Sequence, residues 1–392
     1  MLLTGESLTY AVGNAGCSMD PGLLPMHDTD ALFRPFKYGA LELRNRIVMP
    51  AMTRNFSPQN VPGDDVLNYY RRRATSIGLI VTEGTCISHP AANAFRDVPF
   101  MYGERPLAAW QRIVAAVHSE GCRIVPQLWH VGSARHPGAE PDPSIPAFTP
   151  SGLTQDFQPL CHVMSEQDIC DVIDTFAQAA ADARAIGFDG VEIHGAHGYL
   201  VDEFFWERTN HRSDRYGRSL ENRSRFAAEI VQAVRRSVGP RFPILFRWSQ
   251  WKQQDYSAKL VQNPHELERM LRPLSEAGVD VFHCSTRRYG QPEFEGSDLN
   301  LAGWTKKVTG KPTITVGSVG LDQDIFGKEH GRYQAAKPAS LDDLIRRLEA
   351  EEFDLVAVGR ALIADPDWAR KVRDGAVDQL EAFEKGKLRV LY

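Results

Sequence analysis

The chain has 392 residues, of which 43% are hydrophobic and 24% charged, and this balance is that of an ordinary globular protein rather than a disordered or fibrous one. Its formal net charge of -5 argues against nucleic acid as a partner, because nucleic acid binding calls for a basic stripe. No stretch approaches the length of an apolar membrane span, so a small-molecule partner is the better expectation.

The N-terminal segment, residues 1–25, is small, polar and dotted with glycine, and we interpret it as a flexible extension. The first 33 residues contain no Lys or Arg and no long apolar run, so we expect neither a secretory signal nor a transit peptide. Residues 26–392 are predicted to form one domain. The cysteines are scattered without a C-x-x-C pair, which favours reduced thiols and a cytoplasmic location. They are Cys17, Cys86, Cys122, Cys161, Cys170 and Cys284.

A small hairpin is predicted over residues 37–46, where Gly39 and Asn45 suggest turns, and it would cover the floor of the following sheet. From residue 45 onward, short apolar runs alternate with amphipathic stretches of helical period, a pattern typical of βα units around a parallel sheet. The predicted strands are Ile47–Met52, Leu79–Thr82, Arg123–Leu128, Gly190–His194, Ile244–Trp248, Val281–Ser285, Thr313–Val316 and Leu355–Val358.

Helices are predicted between these strands, with Ser165 and Ser340 as N-caps and Gly187, Gly239 and Gly278 as C-terminal stops. The clearest are Glu166–Ile186, Leu220–Val238, Pro264–Ala277 and Leu341–Glu351. Eight such units favour an α/β fold of the (β/α)₈ TIM-barrel type over an open doubly wound sheet, partly because no G-x-G-x-x-G follows an early strand.

A proline-rich segment interrupts the pattern over residues 135–159, which contain six prolines and cannot form a barrel strand. Long loops in compact domains are usually functional. We therefore predict that this segment caps the active face of the barrel.

Glycines and an arginine follow the last two strands, at the place where barrels commonly bind phosphate. The seventh strand is followed by Gly317 and Ser318, and the eighth by Gly359 and Arg360. Backbone N–H groups and a guanidinium at these ends predict a phosphate monoester site. Any one of these glycines alone would only turn the chain.

Two imidazoles and a phenol, those of His194, His197 and Tyr199, follow the fourth strand within six residues. They could be hydrogen-bonded structural side chains, or ligands of a metal-dependent hydrolase or lyase. In the second case, further ligands would come from Glu192, Asp202, Glu203 and His211. Neither alternative explains the phosphate site.

Polar residues also end or follow the first, third and fifth strands, and these are Thr53, Gln127 and Arg247. Such groups could ring a planar heterocycle with donors and acceptors. Arg247 would stabilise negative charge on a reduced ring, or alternatively form an ion pair with a carboxylate inside the barrel.

These motifs, in this order, resemble those of the Old Yellow Enzymes, the FMN-dependent ene-reductases, from about residue 30 to 375. The segments concerned are Pro50-Ala51-Met52-Thr53-Arg54, Glu83-Gly84-Thr85, Gln127-Leu128-Trp129-His130, the stretch from His194 to Tyr199, and Gly359-Arg360 with Asp365-Pro366 after it.

The resemblance implies that the barrel of residues 26–392 binds FMN tightly but without a covalent bond, and needs no metal. The flavin ring would contact Arg247 and the set Pro50, Ala51, Met52, Thr53, Gly84, Gln127 and His194, and its phosphate would contact Gly317, Ser318, Gly359 and Arg360. The implied reaction is a ping-pong cycle in which NADPH or NADH reduces FMN and an activated alkene then takes the hydride from N5. A homodimer is a family expectation only.

The resemblance also implies catalytic roles for the fourth-strand cluster. His194 and His197 would bind the substrate carbonyl oxygen and stabilise the enolate-like charge. Tyr199 would protonate the α-carbon, since a phenol with an ordinary pKa of about 10 holds its proton at neutral pH. Thr53 is typical of one branch of the family, whereas other members of that branch have Asn at the position of His197, so the two residues indicate different branches.

Overall fold

Within residues 29–324 and 335–392, which the computed structural model describes, eight strands close into a parallel barrel. The predicted extension, residues 1–25, lies outside these residues. The barrel strands are β3 (Ile47–Met49), β4 (Leu79–Cys86), β5 (Arg123–Trp129), β8 (Val191–His197), β9 (Ile244–Lys252), β10 (Val281–Ser285), β11 (Thr313–Val316) and β12 (Leu355–Ala357). They follow one another around the barrel in this order, and β12 pairs with β3 to close it. The predicted barrel is confirmed.

Four barrel strands, β4, β5, β8 and β9, continue beyond the ends that their apolar runs predicted. β9 was predicted to end at Trp248 but continues to Lys252. Its extension contains Ser249 and Gln250, which are polar yet 0% and 4% exposed. They remain in the strand because their side chains find partners, among them the Leu260 N–H, which donates to Gln250 Oε1 over 2.6 Å. A strand prediction based on hydrophobicity stops at such residues, because it does not account for polar side chains that are buried and hydrogen-bonded.

The floor of the barrel is closed by the predicted hairpin, in which β1 (Phe36–Tyr38) pairs antiparallel with β2 (Leu41–Leu43). Gly39 has φ 57°, a backbone conformation that glycine adopts without strain. Phe36, Leu41 and Leu43 are buried against the apolar side chains that fill the lower barrel. Those side chains are Val48, Leu79, Val81, Val125, Leu245, Val281, Ile314, Leu355 and Ala357.

Helices pack around the outside of the barrel. They are α1 (Asp30–Phe33), α2 (Asp64–Ala74), α3 (Glu104–Ser119), α4 (Glu166–Ala185), α5 (Leu200–Phe205), α6 (Leu220–Val238), α7 (Pro264–Ala277), α8 (Leu301–Thr309), α9 (Asp342–Glu349), α10 (Arg360–Ala364) and α11 (Trp368–Arg373). Among the described residues no helix is both long and apolar enough to cross a membrane.

The helix ends follow the local capping signals. Ser165 and Asp168 form a reciprocal capping box at α4, which satisfies N–H groups that lack a partner within the helix. Gly278 ends α7 in the left-handed conformation with φ 118°. The prediction of Ser340 as an N-cap was wrong by one residue, because Leu341 is the N-cap of α9 and Ser340 Oγ accepts from the Asp342 N–H over 3.0 Å.

The proline-rich segment 135–159 follows β5 on the carboxyl side of the barrel strands, and none of its residues lines the cavity described below. It folds instead around the buried Arg135 guanidinium, which donates to the carbonyls of Ala139 and Ile145 over 2.9 and 3.0 Å. As predicted, it contributes no barrel strand. Its short β6 (Phe148–Thr149) pairs only with β7 (His162–Val163).

Candidate active site

A cavity of about 990 Å³ lies at the carboxyl ends of the barrel strands. This volume is at the upper end of the roughly 300–1,000 Å³ range of small-molecule sites. Among the described residues that line it, Asp324 carries the one carboxylate and six side chains are cationic. Those six are Arg54, Arg247, Arg287, Arg360, Lys385 and Arg389. The charge of the lining favours an anionic ligand.

One wall of the cavity is the segment after β3, where Pro50, Ala51, Met52 and Thr53 all line it. The buried Glu83 carboxylate holds this segment in place, because Glu83 Oε2 accepts from the N–H groups of Arg54 and Asn55 over 2.9 and 3.2 Å. These bonds only partly offset burial, which raises the pKa of Glu83 to about 7. The wall is therefore built on two strands, β3 and β4.

Arg247 on β9 is 7% exposed and lines the cavity beside this wall. Its Nη1 donates to the Ala51 carbonyl over 3.1 Å, and its Nη2 lies 3.5 Å from Ser285 Oγ. Nε is buried, and no residue that the structure describes accepts a hydrogen bond from it. Burial lowers the pKa of Arg247, while the nearby Glu192 carboxylate opposes this shift. A buried cation with an unused donor fits a ligand that gains negative charge.

Gly317, Ser318, Gly359 and Arg360, which follow β11 and β12, also line the cavity, as the strand-end pattern predicted. Gly317 has φ 148°, and a Cβ there would lie 2.6 Å from Thr286 Oγ1. Arg360 Nη2 donates to Ser318 Oγ over 3.2 Å, whereas Nη1 is buried and has no partner within residues 29–324 and 335–392. Burial lowers the pKa of Arg360 to about 10, so it stays cationic at neutral pH. These groups fit a phosphate.

The two predicted imidazoles, His194 and His197, lie on β8 with their ring centroids 5.2 Å apart. Burial and the Arg247 charge hold the pKa of each well below its usual value, so both are neutral. The Ala196 N–H donates to His194 Nδ1 over 3.3 Å, which places the His194 proton on Nε2. His197 Nε2 lies 2.8 Å from Ser285 Oγ, and its ring stacks on Trp251.

Tyr199 lines the same end of the cavity as His197 and is 7% exposed. Its ring packs edge-on against Trp129, with centroids 4.9 Å apart, and lies 5.0 Å from His194. Gln253 Nε2 donates to the Tyr199 hydroxyl over 2.8 Å. The phenol is thus held at the cavity surface with two imidazoles beside it.

Three predicted cofactor contacts, Gly84, Gln127 and His194, do not line the cavity. The His194 ring contacts those of Trp129, His197 and Tyr199 just behind its surface. Gly84 pairs with Gln127 across β4 and β5, and a Cβ at Gly84 would lie 2.4 Å from the Trp129 ring. Gln127 is 2% exposed and donates to Glu192 inside the barrel.

Several lining residues were missed by the sequence analysis. Ser285 and Thr286 end or follow β10, so the rule applied to the other strands would have found them. Trp251 and Gln253 were missed because β9 is longer than predicted. The C-terminal residues Lys385, Leu388 and Arg389 have no local signal, and Arg54 holds their segment by donating to the Val390 carbonyl over 2.7 Å.

A buried ion pair supports the turn that carries His197 and Tyr199. Lys252 Nζ lies 2.8 Å from Asp202 Oδ1, and both side chains are 0% exposed. Asp202 Oδ2 also accepts from the Gly198 N–H over 2.7 Å. The pair therefore joins β9 to α5 and to the backbone between the two functional side chains.

Glu203 follows Asp202 in the chain, and we expect its buried carboxyl group to make the stability of the fold depend on pH. Burial raises its pKa to about 8, above that of an exposed glutamate, so folding favours its protonated form. This contribution to stability is complete below the unfolded-state pKa near 4.5 and is lost as pH rises through about 8. Glutamine does not titrate, so we expect Glu203→Gln to reduce the pH dependence of the free energy of unfolding by up to about 1.4 kcal/mol per pH unit. Urea unfolding of wild type and Glu203→Gln at pH 5 to 8 checks this prediction. If the free energy of unfolding depended on pH in the same way in both proteins, the prediction would be contradicted.

The metal-dependent alternative finds no support among the described residues, in which no group of three or more His, Cys, Asp or Glu side chains is arranged to hold a metal ion. Glu192 and Asp202, two of the suggested ligands, are engaged by His283 and Lys252 instead.

The profile of the NADH:flavin oxidoreductase / NADH oxidase family matches residues 31–379. Putative 12-oxophytodienoate reductase 2 of Oryza sativa subsp. japonica is 40% identical over 352 residues, which are 88% of each chain. NADH oxidase of Thermoanaerobacter brockii is 33% identical over 364 residues, 89% of this chain and 52% of that protein. The present chain thus spans about half the length of the latter relative.

The fold is also similar to that of morphinone reductase, with a TM-score of 0.75 and 29% sequence identity over 91% of this chain and 92% of the other. A further structure of morphinone reductase contains tetrahydroNAD, an analogue of a nicotinamide nucleotide.

Proposed function

The chain belongs to the NADH:flavin oxidoreductase / NADH oxidase family, whose members are FMN-containing oxidoreductases with a nicotinamide hydride donor, and on this premise we propose that it is an ene-reductase. The proposed substrates are α,β-unsaturated carbonyl or nitro compounds, of which the activated C=C bond is reduced. The resemblance to Old Yellow Enzymes is confirmed at the level of the family.

One arrangement carries the proposal. Tyr199 and His197 line the same cavity as Arg360 and Gly317, and Arg247 lies between the wall of β3 and Ser285. A cofactor with a phosphate and a ring that gains negative charge fits the unused donors Arg360 Nη1 and Arg247 Nε. When bound, FMN supplies the hydride.

The side chains of the protein would then divide the remaining work. The neutral His194 offers an N–H at Nε2 and, together with His197, would polarise the carbonyl or nitro oxygen of the substrate. The Tyr199 hydroxyl would deliver the proton to the α-carbon. Gln253, which donates to the Tyr199 oxygen, would help to hold that hydroxyl and stabilise the charge left on it.

Purification followed by a substrate screen tests this function. We expect a yellow protein with the visible spectrum of FMN that oxidises NADPH or NADH when given enones, nitroalkenes or maleimides. A colourless protein that cannot be reconstituted with FMN would contradict the proposal, as would stoichiometric zinc or manganese with activity lost to chelators. Rates with the two nucleotides also decide the hydride donor.

Arg360→Gln is expected to weaken FMN binding by roughly 10- to 100-fold, because it removes a charge-assisted contact to the phosphate. Fluorescence titration of the apoprotein with FMN measures the loss. Riboflavin, which lacks the phosphate, is the matched ligand and should bind wild type and variant equally. Equal weakening of both ligands would show that Arg360 acts on the fold rather than on the phosphate.

Three further features are proposals of the same kind: a homodimer, a cytoplasmic location, and an FMN-binding barrel that extends over residues 26–392. The five cysteines among the described residues carry no disulfide, which supports a reducing compartment. Sedimentation of the holoenzyme tests the dimer.

A further inference from the structure

Beneath the cavity, a buried glutamate joins three strands of the barrel. Glu192 on β8 is 0% exposed, and its two carboxylate oxygens are used separately. Oε1 accepts from Gln127 Nε2 on β5 over 2.8 Å, and Oε2 accepts from His283 Nδ1 on β10 over 2.7 Å. The proposed ene-reductase function gives this carboxylate no role.

Arg247 lies directly beside this cluster. It is the register neighbour of His194 on β8 and of His283 on β10. Burial alone would raise the pKa of Glu192, but its interaction with His283, the Arg247 charge and the Gln127 hydrogen bond together hold that pKa below its usual value. Burial lowers the pKa of His283, which is therefore neutral and donates from Nδ1. The cluster thus contains one positive and one negative charge.

We propose that Glu192 is a positioning residue for the flavin, which sets the effective charge of Arg247 and the orientation of Gln127. This inference rests on the FMN site described above. A carboxylate close to Arg247 reduces the positive potential at the ring, so it limits how strongly reduced FMN is favoured over oxidised FMN. It also accepts from Gln127 Nε2, which holds that amide inside the barrel beneath the cavity.

Glu192→Gln removes the charge and keeps the shape. The amide oxygen can accept from one of the two donors, and neutral His283 can move its proton to the other nitrogen to meet the new NH₂ group. We expect reduced FMN to gain affinity relative to oxidised FMN by about tenfold, because the Arg247 charge is no longer compensated. For a two-electron couple this is a positive shift of about 30 mV in midpoint potential.

Glu203 supplies a matched control, since it is also a buried glutamate, 1% exposed. Its pKa of about 8 means that it is mostly protonated at pH 7, so Glu203→Gln changes little charge. A purely structural effect of replacing a buried glutamate would lower thermal stability in both variants and leave the potential in place.

The experiment measures the midpoint potential and the Kd of oxidised FMN for wild type, E192Q, E192D and E203Q at pH 7. A rise in midpoint potential that is confined to E192Q supports the proposal. E192D keeps the charge, so its preference for reduced FMN should stay within about threefold of wild type. A shift in E192Q no larger than that in E203Q overturns the proposal. If E192Q does not fold, the measurement on E192D tests the proposal instead. A change of more than about threefold in the preference of E192D for reduced FMN then overturns the proposal.

The outcomes for this residue and for the proposed function can be distinguished. A shifted potential in E192Q, in a protein that reduces no activated alkene, contradicts the ene-reductase function and supports the role of Glu192. Alkene reduction by wild type with an unshifted E192Q contradicts the role of Glu192 alone.

Discussion

Asp202→Asn is expected to lower the free energy of unfolding by about 3–5 kcal/mol, the largest stability effect that we expect at this site. The substitution leaves Lys252 charged, fully buried and without its counter-ion. Removing one partner of a buried pair costs much more than the pair itself contributes, because the remaining charge has lost its hydration and keeps only the Ser249 carbonyl as a partner. Urea unfolding at neutral pH measures the loss.

Two controls make this prediction specific. The double variant Asp202→Leu with Lys252→Met removes both charges and should recover much of the stability. Lys37→Ala breaks the exposed pair with Glu42 on the hairpin and should cost less than about 1 kcal/mol. A cost for Asp202→Asn as small as that for Lys37→Ala would mean that the buried pair does not stabilise the fold.

Tyr199→Phe is expected to slow the reduction of enones by about 10²- to 10⁴-fold, the range of a single general acid, while the reduction of bound FMN by NADPH stays unchanged. The variant removes one hydroxyl and keeps the ring that packs against Trp129. Stopped-flow absorbance separates the two half-reactions by the loss and return of flavin colour.

Tyr38→Phe, which removes a hydroxyl from the hairpin at the opposite end of the barrel, is the matched control and should change neither half-reaction. If Tyr199→Phe slowed both half-reactions equally, the hydroxyl would be acting on the nicotinamide or the flavin and not as the proton donor to substrate.

The residues at the ends of the predicted strands were the feature of the sequence from which the candidate site could be predicted. Because the carboxyl ends of parallel barrel strands meet at one face, Gly317, Arg360 and Arg247 could be assigned to one site although more than 110 positions separate the first and last of them in the chain. The same rule failed at β9, where buried Ser249 and Gln250 ended the apolar run before the strand ended. It also gave no information about loops, so it could not show that segment 135–159 contributes no lining residue to the cavity.

Charge states were likewise decided by tertiary contacts. Glu192 and Glu203 are both glutamates close to the motif of His194 and Tyr199, and the sequence treats them alike as candidate metal ligands. In the fold Glu192 receives two hydrogen bonds and lies near Arg247, so its pKa falls, whereas burial and the neighbouring Asp202 raise the pKa of Glu203 to about 8 despite its hydrogen bonds from Ser133. Their opposite behaviour depends on what surrounds each carboxyl.

The sequence by itself determined the parallel barrel, the hairpin under its floor and the residue types at its mouth, because these depend on local periodicity, turn residues and the common direction of the strands. The tertiary structure alone decided which of those residues face the cavity, that C-terminal residues 385–389 join its lining, and that Gln127 turns inward to Glu192. Such features depend on contacts between positions far apart in the chain, where packing, burial and hydrogen bonding compete and no local pattern records the result.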